Sequence, residues 1–331
     1  MSLARTKQLL KPPRLSAIGL LSAGGSLCCI ATPLGWLGEW WWFFDLFAHF
    51  RVQYFVALAL LSILMALLKS KAFAIVFAIF ALINLGPLAP YYLSSPPTPP
   101  AGATVFRVLV LNVNTEAGQV AKVKEVVAAY DPDLMVLEEL SASWVENLEP
   151  ALADYPHRLL NPRPDNFGIT LYSRLKVQSA TAYPIGPADI PSIVATVEMP
   201  TVSGGTREVT LLATHTFPPG REWSSLRNAQ LRDLGRAAAA SPHPVLLLGD
   251  LNITPWSPHF AKMLETSGLR DSMVGFGIQP TWPTHRPWFL IPIDHCLATE
   301  EFAPLKREIG PWVGSDHLPV IVDFMLEEGG S

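Results

Sequence analysis

Residues 245–252 read VLLLGDLN, and residues 314–324 read GSDHLPVIVDF. In the first stretch four apolar residues run directly into Gly249, Asp250, Leu251 and Asn252. A strand with the pattern of a buried one thus ends in a carboxylate and an amide two residues apart, on one side of the chain. In the second, Asp316 and His317 stand just before another apolar strand. Four more segments repeat the arrangement: LVLNVN (109–114) with Asn112 and Asn114, DLMVLEEL (133–140) with Glu138 and Glu139, ATHT (213–216) with His215, and PIDH (292–295) with Asp294. Each is ordinary alone, because Asn is a common turn former, strand ends are often acidic, and a lone His at a strand end is usually structural. His295 is read in that structural way and left out of the site. Six such strands in one chain point to one site where their ends meet.

Between these strands lie helical stretches, notably AKVKEVVAAY from Ala121 and WSSLRNAQLRDLGRAAAA from Trp223. Short strands interspersed with helices predict an α/β layered domain. Over residues 104–331 there are 17 Lys and Arg against 26 Asp and Glu, a formal balance of −9. A protein that neutralises several phosphates of a duplex needs a basic surface, so nucleic acid is possible as a partner but not favoured. Arg221, Arg227, Arg232 and Arg236 read as the solvated face of one helix. There is no glycine-rich phosphate loop, no G-x-S-x-G elbow and no His or Cys spacing typical of zinc.

The first hundred residues are of another kind. Residues 15–38, 52–68 and 72–93 carry no charge, and a bilayer core of ~30 Å needs about 20 such residues per helix. Three transmembrane helices are expected, at about 15–35, 50–68 and 72–93, making residues 1–93 a membrane anchor. No small-residue cleavage site follows the first apolar run, which argues against a signal peptide. Arg5, Lys7, Lys11 and Arg14 precede the first helix, and Lys69 and Lys71 form the turn between the second and third. Basic flanks stay in the cytoplasm, so residues 94–331 are expected on the extracytoplasmic side. Trp36, Trp40, Trp41 and Trp42 suit an aromatic belt at the outer surface. The run SSPPTPPAGA at 94–103 cannot continue a helix and reads as an extended linker, beyond which residues 104–331 are expected to fold alone.

Taken in order and spacing, the strand-end residues resemble the endonuclease/exonuclease/phosphatase superfamily of metal-dependent phosphoesterases, over roughly residues 104–326. The three helices, the proline linker and PTWP (280–283) before PIDH resemble bacterial envelope members. The resemblance implies two mixed β-sheets packed as a sandwich with flanking helices, and hydrolysis of a phosphodiester or phosphomonoester with Mg²⁺, for which Mn²⁺ can substitute. It implies that Glu139, Asn112 and Asp316 lie at the metal, with Glu138 the alternative to Glu139 because it stands where the family has Gln. Asp250 would orient or deprotonate the attacking water, and Asn252 would hold that water and a phosphoryl oxygen. His317, steadied by Asp294, would donate to a phosphoryl oxygen, and His215 would assist at the phosphate or leaving group. Expected partners are a phosphate ester and the bilayer of a bacterial inner membrane. Trp282, Trp288, Phe289 and Leu290 either rest on lipid headgroups or pack over the strand carrying Asp294. Nuclease activity and a degenerate binding scaffold are the alternatives.

Overall fold

The computed structural model describes residues 16–328; the basic flank at Arg5, Lys7, Lys11 and Arg14 lies outside the described residues. Twelve strands form two six-stranded sheets. In chain order they are β1 (Phe106–Asn112), β2 (Leu134–Glu138), β3 (His157–Asn161), β4 (Ile169–Ser173), β5 (Val177–Pro184), β6 (Pro191–Pro200), β7 (Thr206–Thr214), β8 (Val245–Asp250), β9 (Arg270–Asp271), β10 (Asp294–Ala298), β11 (Phe302–Ile309) and β12 (Val320–Leu326). One sheet has the order β11-β12-β1-β2-β4-β3 and the other β5-β6-β7-β8-β10-β9. Both are mixed: β1 runs parallel to β2 and antiparallel to β12, while β8 runs parallel to β7 and antiparallel to β10.

The alternation of side chains along a strand builds three apolar layers. Val108 and Val110 of β1, Val136 of β2, Leu246 and Leu248 of β8 and Cys296 of β10 meet between the sheets. Their neighbours Leu109 and Leu111 turn outward, onto Val123, Val126 and Val127 of the helix Val120–Tyr130. On the other outer face Leu247 and Leu297 pack against Leu231 and Leu234 of the helix Trp223–Ala239 and Phe260 of the helix Pro258–Ser267. Strands apolar on both faces are what a sheet covered on both sides requires.

Three N-terminal helices are long and apolar enough to cross a membrane: Ala17–Leu37, Trp42–Leu67 and Lys71–Leu88. They are tied together near one end. Arg51, 1% exposed, donates from Nη1 to the Thr32 carbonyl at 2.9 Å and to Asn84 Oδ1 at 3.2 Å, and Asn84 donates to Thr32 Oγ1 at 2.8 Å. Each of the three apolar segments supplies one member of this knot. The middle segment begins earlier than the charge-free run at 52–68 implies. It is not one α-helix: a turn at Trp42–Asp45 passes through a 3₁₀ stretch at Leu46–Phe50 into the 17-residue helix Arg51–Leu67.

The stretch Trp42–Phe50 carries Asp45 and His49 onto the sandwich. Arg227 Nη2 donates to Asp45 Oδ2 at 2.5 Å, and both side chains are buried. Arg227 therefore departs from the expected solvated helix face, whereas Arg221, Arg232 and Arg236 are exposed as that reading requires. Gln53 Nε2 donates to the Leu290 carbonyl at 3.0 Å, the rings of Phe50 and Phe289 lie 6.2 Å apart, and Gly277 N donates to the Tyr91 carbonyl at 2.8 Å. The apolar helices and the sandwich share an interface of which the linker composition gave no sign.

Candidate active site

The periodicity that fills the inter-sheet core also delivers polar groups to its open end. Asn112 continues the inward series of Val108 and Val110, Asp250 that of Leu246 and Leu248, and His215 that of Leu211 and Ala213. Asp294 precedes inward Cys296 and faces Asp250 directly across β8 and β10.

Three further residues arrive by breaking the pattern. Asn114, Glu139 and Asn252 have φ of 50°, 59° and 48°, a left-handed conformation uncommon outside glycine and concentrated at functional sites. At Glu139 the reversal swings the carboxylate into the cleft, where it accepts from Asn112 Nδ2 at 2.9 Å. Thr115 Oγ1 donates to the Glu139 carbonyl. Glu138 is still in strand β2 and points between the sheets, fully buried, accepting from the Asp250 backbone N–H at 3.0 and 3.1 Å. Of the two glutamates, Glu139 is the one that lines the cleft. Gly249, at φ 143°, has no alternative, since a Cβ there would lie 1.9 Å from the Thr214 carbonyl oxygen and 2.5 Å from Glu138 Oε1.

The cleft has a volume of about 380 Å³, and Glu139, His215, Asp250, Asn252, Asp316 and His317 line it. Asp250 Oδ2 lies 3.6 Å from His215 Nε2 and 3.7 Å from His317 Nε2. Asn252 donates its backbone N–H to Asp250 Oδ1 at 2.8 Å and its amide to the Thr216 carbonyl at 2.8 Å. Behind His317, Asp294 Oδ2 is 3.0 Å from Nδ1, which fixes the ring so that Nε2 faces the cleft. Asp316 accepts from Asn114 Nδ2 at 2.6 Å and from Trp282 Nε1 at 2.9 Å. Asn112 lies beneath the floor, its Nδ2 turned to Glu139 and, at 3.4 Å, to Asp250. All eight residues singled out from the sequence thus gather at one place. His295, left out, donates to or accepts from nothing in the cleft; its Nε2 meets the Ile253 carbonyl at 2.8 Å.

The charges are unbalanced. Burial pushes Asp250 up to about 8, against the pull of His317 and with Asp294 adding to the rise. Burial likewise raises Glu139. For His317 burial acts downward, but Asp294 and Asp250 prevail and raise it to about 10, so it stays a cation at neutral pH. Burial and the neighbouring His317 lower His215 to about 4, leaving it neutral. Four carboxyl groups, of Glu139, Asp250, Asp294 and Asp316, thus converge on one cation. Asp250 and Asp294 gather around His317, their oxygens within 4.8 Å of its ring nitrogen, and Glu139 and Asp316 add hard oxygen donors at the cleft, while the cationic His317 is a hydrogen-bond donor and no ligand. A divalent cation fits this cluster of hard carboxyl oxygens and would favour their ionised form when bound.

The far wall is aromatic and no motif announced it. The Phe167 ring lies 5.2 Å from those of His215 and Phe217, and Phe217 stacks on Trp223 at 6.1 Å and 22°. Among the described residues, no Lys or Arg lines the cleft. Trp282 belongs to the cleft through Asp316, not to the exposed lip where Trp288 and Phe289 stand, 85% and 54% exposed.

Comparison with known proteins agrees with this geometry. Residues 109–317 match the Endonuclease/Exonuclease/phosphatase family. Among solved structures, TDP2 of D. rerio complexed with single strand DNA product aligns with a TM-score of 0.56 at 18% identity, covering 67% of this chain and 99% of that one. An endonuclease/exonuclease/phosphatase from Beutenbergia cavernae aligns at 0.52 and 22% identity, over 67% and 72% of the two chains. The mannosyl-6-phosphatase of Bacteroides thetaiotaomicron aligns at 0.53 and 15% identity, over 67% and 100%. At these identities the structures speak to the fold alone. Among curated proteins no relative matches the chain. With the match spanning well over half its length, and a two-sheet sandwich carrying strand-end carboxylates and imidazoles in one cleft, the chain belongs to the endonuclease/exonuclease/phosphatase family.

Proposed function

We propose that this protein is a membrane-anchored, Mg²⁺-dependent phosphoester hydrolase whose catalytic domain stands on the extracytoplasmic side of a bacterial inner membrane. Its substrate would be a phosphodiester or phosphomonoester, with a lipid headgroup the favoured source. The observation that carries the reading is the pairing of Asp250 and His317 in a cleft whose rim continues into the anchor. Phe289 and Leu290 of the exposed lip touch Phe50 and Gln53 of the second apolar helix. The lip is thereby held where that helix enters its apolar stretch, and exposed Trp and Phe suit the headgroup layer.

Hydrolysis needs an in-line water, charge relief on the phosphoryl oxygens and help for the leaving oxygen. Asp250 is placed to orient the water and accept its proton, and a base that titrates near neutral pH suits that role. Asn252 presents its amide beside Asp250 to hold the water and one phosphoryl oxygen. His317, cationic and braced by Asp294, donates from Nε2 to a second phosphoryl oxygen, while His215, neutral, serves the leaving group. Glu139, with Asn112 and Asp316, would hold Mg²⁺ or Mn²⁺, which when bound supplies Lewis acidity toward the phosphate. Asn112 as placed offers its Nδ2 to Glu139, so an oxygen contact from this residue calls for the amide turned over.

A nuclease is the second reading, favoured by the nucleic-acid-bound protein of similar fold and disfavoured by the −9 balance of residues 104–331 and by a cleft lined, among the described residues, by no Lys or Arg. Rates on plasmid DNA, phospholipid vesicles and soluble headgroup esters at one Mg²⁺ concentration and ionic strength decide between them. Faster cleavage of DNA, with a steep salt dependence, would overturn the lipid reading.

A further inference from the structure

We infer that the membrane anchor is part of the catalytic apparatus: Asp45, acting through Arg227, is a positioning residue for the active-site segment Asn252–Ser257. This rests on the reading of Asp250 and Asn252 as catalytic given above. Asp45 and Arg227 are 1% and 0% exposed in their side chains, and Nη2 to Oδ2 is 2.5 Å. The other guanidinium nitrogen of the pair, Nη1, donates to the backbone carbonyl of Asn252 at 3.0 Å. The side chain of Asn252 lines the cleft, and its backbone is held at φ 48°. A left-handed non-glycine residue persists only where its surroundings over-determine it, and here the Arg227 contact to its carbonyl is part of that restraint.

Two more contacts reach the same segment from the same short stretch of anchor. Ser257 Oγ donates to Asp45 Oδ1 at 2.6 Å, and His49 Nδ1 is 3.0 Å from Thr254 Oγ1. Asp45 therefore grips both ends of the loop, one directly and one through Arg227, while His49 holds its middle. Arg227 has a third acceptor in Asn228 Oδ1, at 2.9 and 3.0 Å, but that is a neutral amide and cannot replace the carboxylate for a buried guanidinium. A tether needs none of this. A passive anchor would meet its cargo through the linker and an exposed polar surface, not through a buried ion pair one residue from the site.

The test uses the full chain in detergent, comparing wild type with Asp45→Asn, which preserves side-chain shape and removes the charge. Turnover of bis(p-nitrophenyl) phosphate with Mg²⁺ gives kcat and KM, and amide hydrogen exchange gives the order of residues 252–257 relative to β8. We expect faster exchange in 252–257 with β8 unchanged, and kcat lower by about 10- to 100-fold at nearly constant KM, as misplacement of a catalytic group by about 1 Å produces. Should Asp45→Asn fail to fold, Ser257→Ala, which removes one hydrogen bond only, should move both readouts the same way by less. Unchanged exchange, or faster exchange with kcat intact, overturns the inference. If the wild type hydrolyses no phosphoester, the proposed function falls, while the exchange comparison still decides whether the anchor orders the loop.

Discussion

Replacing Glu138 and Glu139 separately by Gln should give opposite results, although the two are adjacent and both acidic. Glu139 lines the cleft, so Glu139→Gln removes a hard anionic oxygen from the proposed metal and should lower kcat by about a hundredfold or more. Glu138 points between the sheets, where burial, with Asp250 and Asp294 adding to it, holds its carboxyl well above the usual carboxylate range. It works as a neutral acceptor for the Asp250 N–H, and a Gln carbonyl can do the same. Activity of Glu138→Gln should stay within about threefold of wild type. Its stability should differ in a way that carries a sign. Above pH 4.5 the unfolded chain loses the Glu138 proton while the folded chain keeps it, so wild-type stability falls by up to about 1.4 kcal/mol per pH unit from this group until the folded state titrates too. Glu138→Gln removes that slope and should gain on the wild type as the pH rises. Glu138→Ala instead strands the Asp250 N–H at a cost of about 1–3 kcal/mol. Thermal unfolding with EDTA across pH 5–7, beside kcat with Mg²⁺, measures all three variants. An inactive Glu138→Gln, or one whose stability tracks wild type at every pH, would refute the division of labour between these residues.

Asp250→Asn and His317→Ala should each reduce kcat by about a hundredfold or more, and the double variant should lose far less than the product, because both act on one transition state; activity that survives chelation or the His317 change would remove the mechanism. Gly249→Ala should not accumulate as folded protein, since its Cβ would collide with the Thr214 carbonyl at 1.9 Å, and soluble yield reads this directly. Residues 101–331 expressed alone should reach the same sandwich with the segment 252–257 less ordered, because Arg227, Thr254 and Ser257 then lack their contacts to Asp45 and His49; a chain that is insoluble or unfolded without residues 1–100 would contradict this. A phosphatase reporter fused after Ser331 should be active and a cytoplasm-dependent fluorescent one dark, and the reverse would place the domain in the cytoplasm.

Strand-end chemistry was legible because period two is local. Asn112, His215, Asp250 and Asp294 each share parity with apolar residues two and four positions away, so their convergence can be read without knowing any partner. Glu139 resisted the same reasoning. Parity selects Glu138 for the inward face, and only a left-handed backbone, which no local pattern signals, sends its neighbour into the cleft. Arg227 shows the other limit. Its helix looks amphipathic with a basic face, but the fate of one cation on that face depends on Asp45, 182 residues earlier in the chain. The aromatic wall of Phe167, Phe217 and Trp223 was illegible for the same reason, its members coming from separate loops and a helix start.

The knot of Arg51, Thr32 and Asn84 has a kinetic meaning. A polar clamp drawing on all three helices ties them together, and Asp45, six residues before Arg51 in the same apolar segment, fastens the cleft to that clamp. With the three helices in a bilayer, as proposed, the cleft would be carried at a constant height and tilt, and its encounter with a substrate of the same bilayer would become a search in two dimensions. For such a substrate the rate would follow its mole fraction in the membrane and not its bulk concentration. Diluting it with inert lipid would slow the enzyme even with the total amount unchanged.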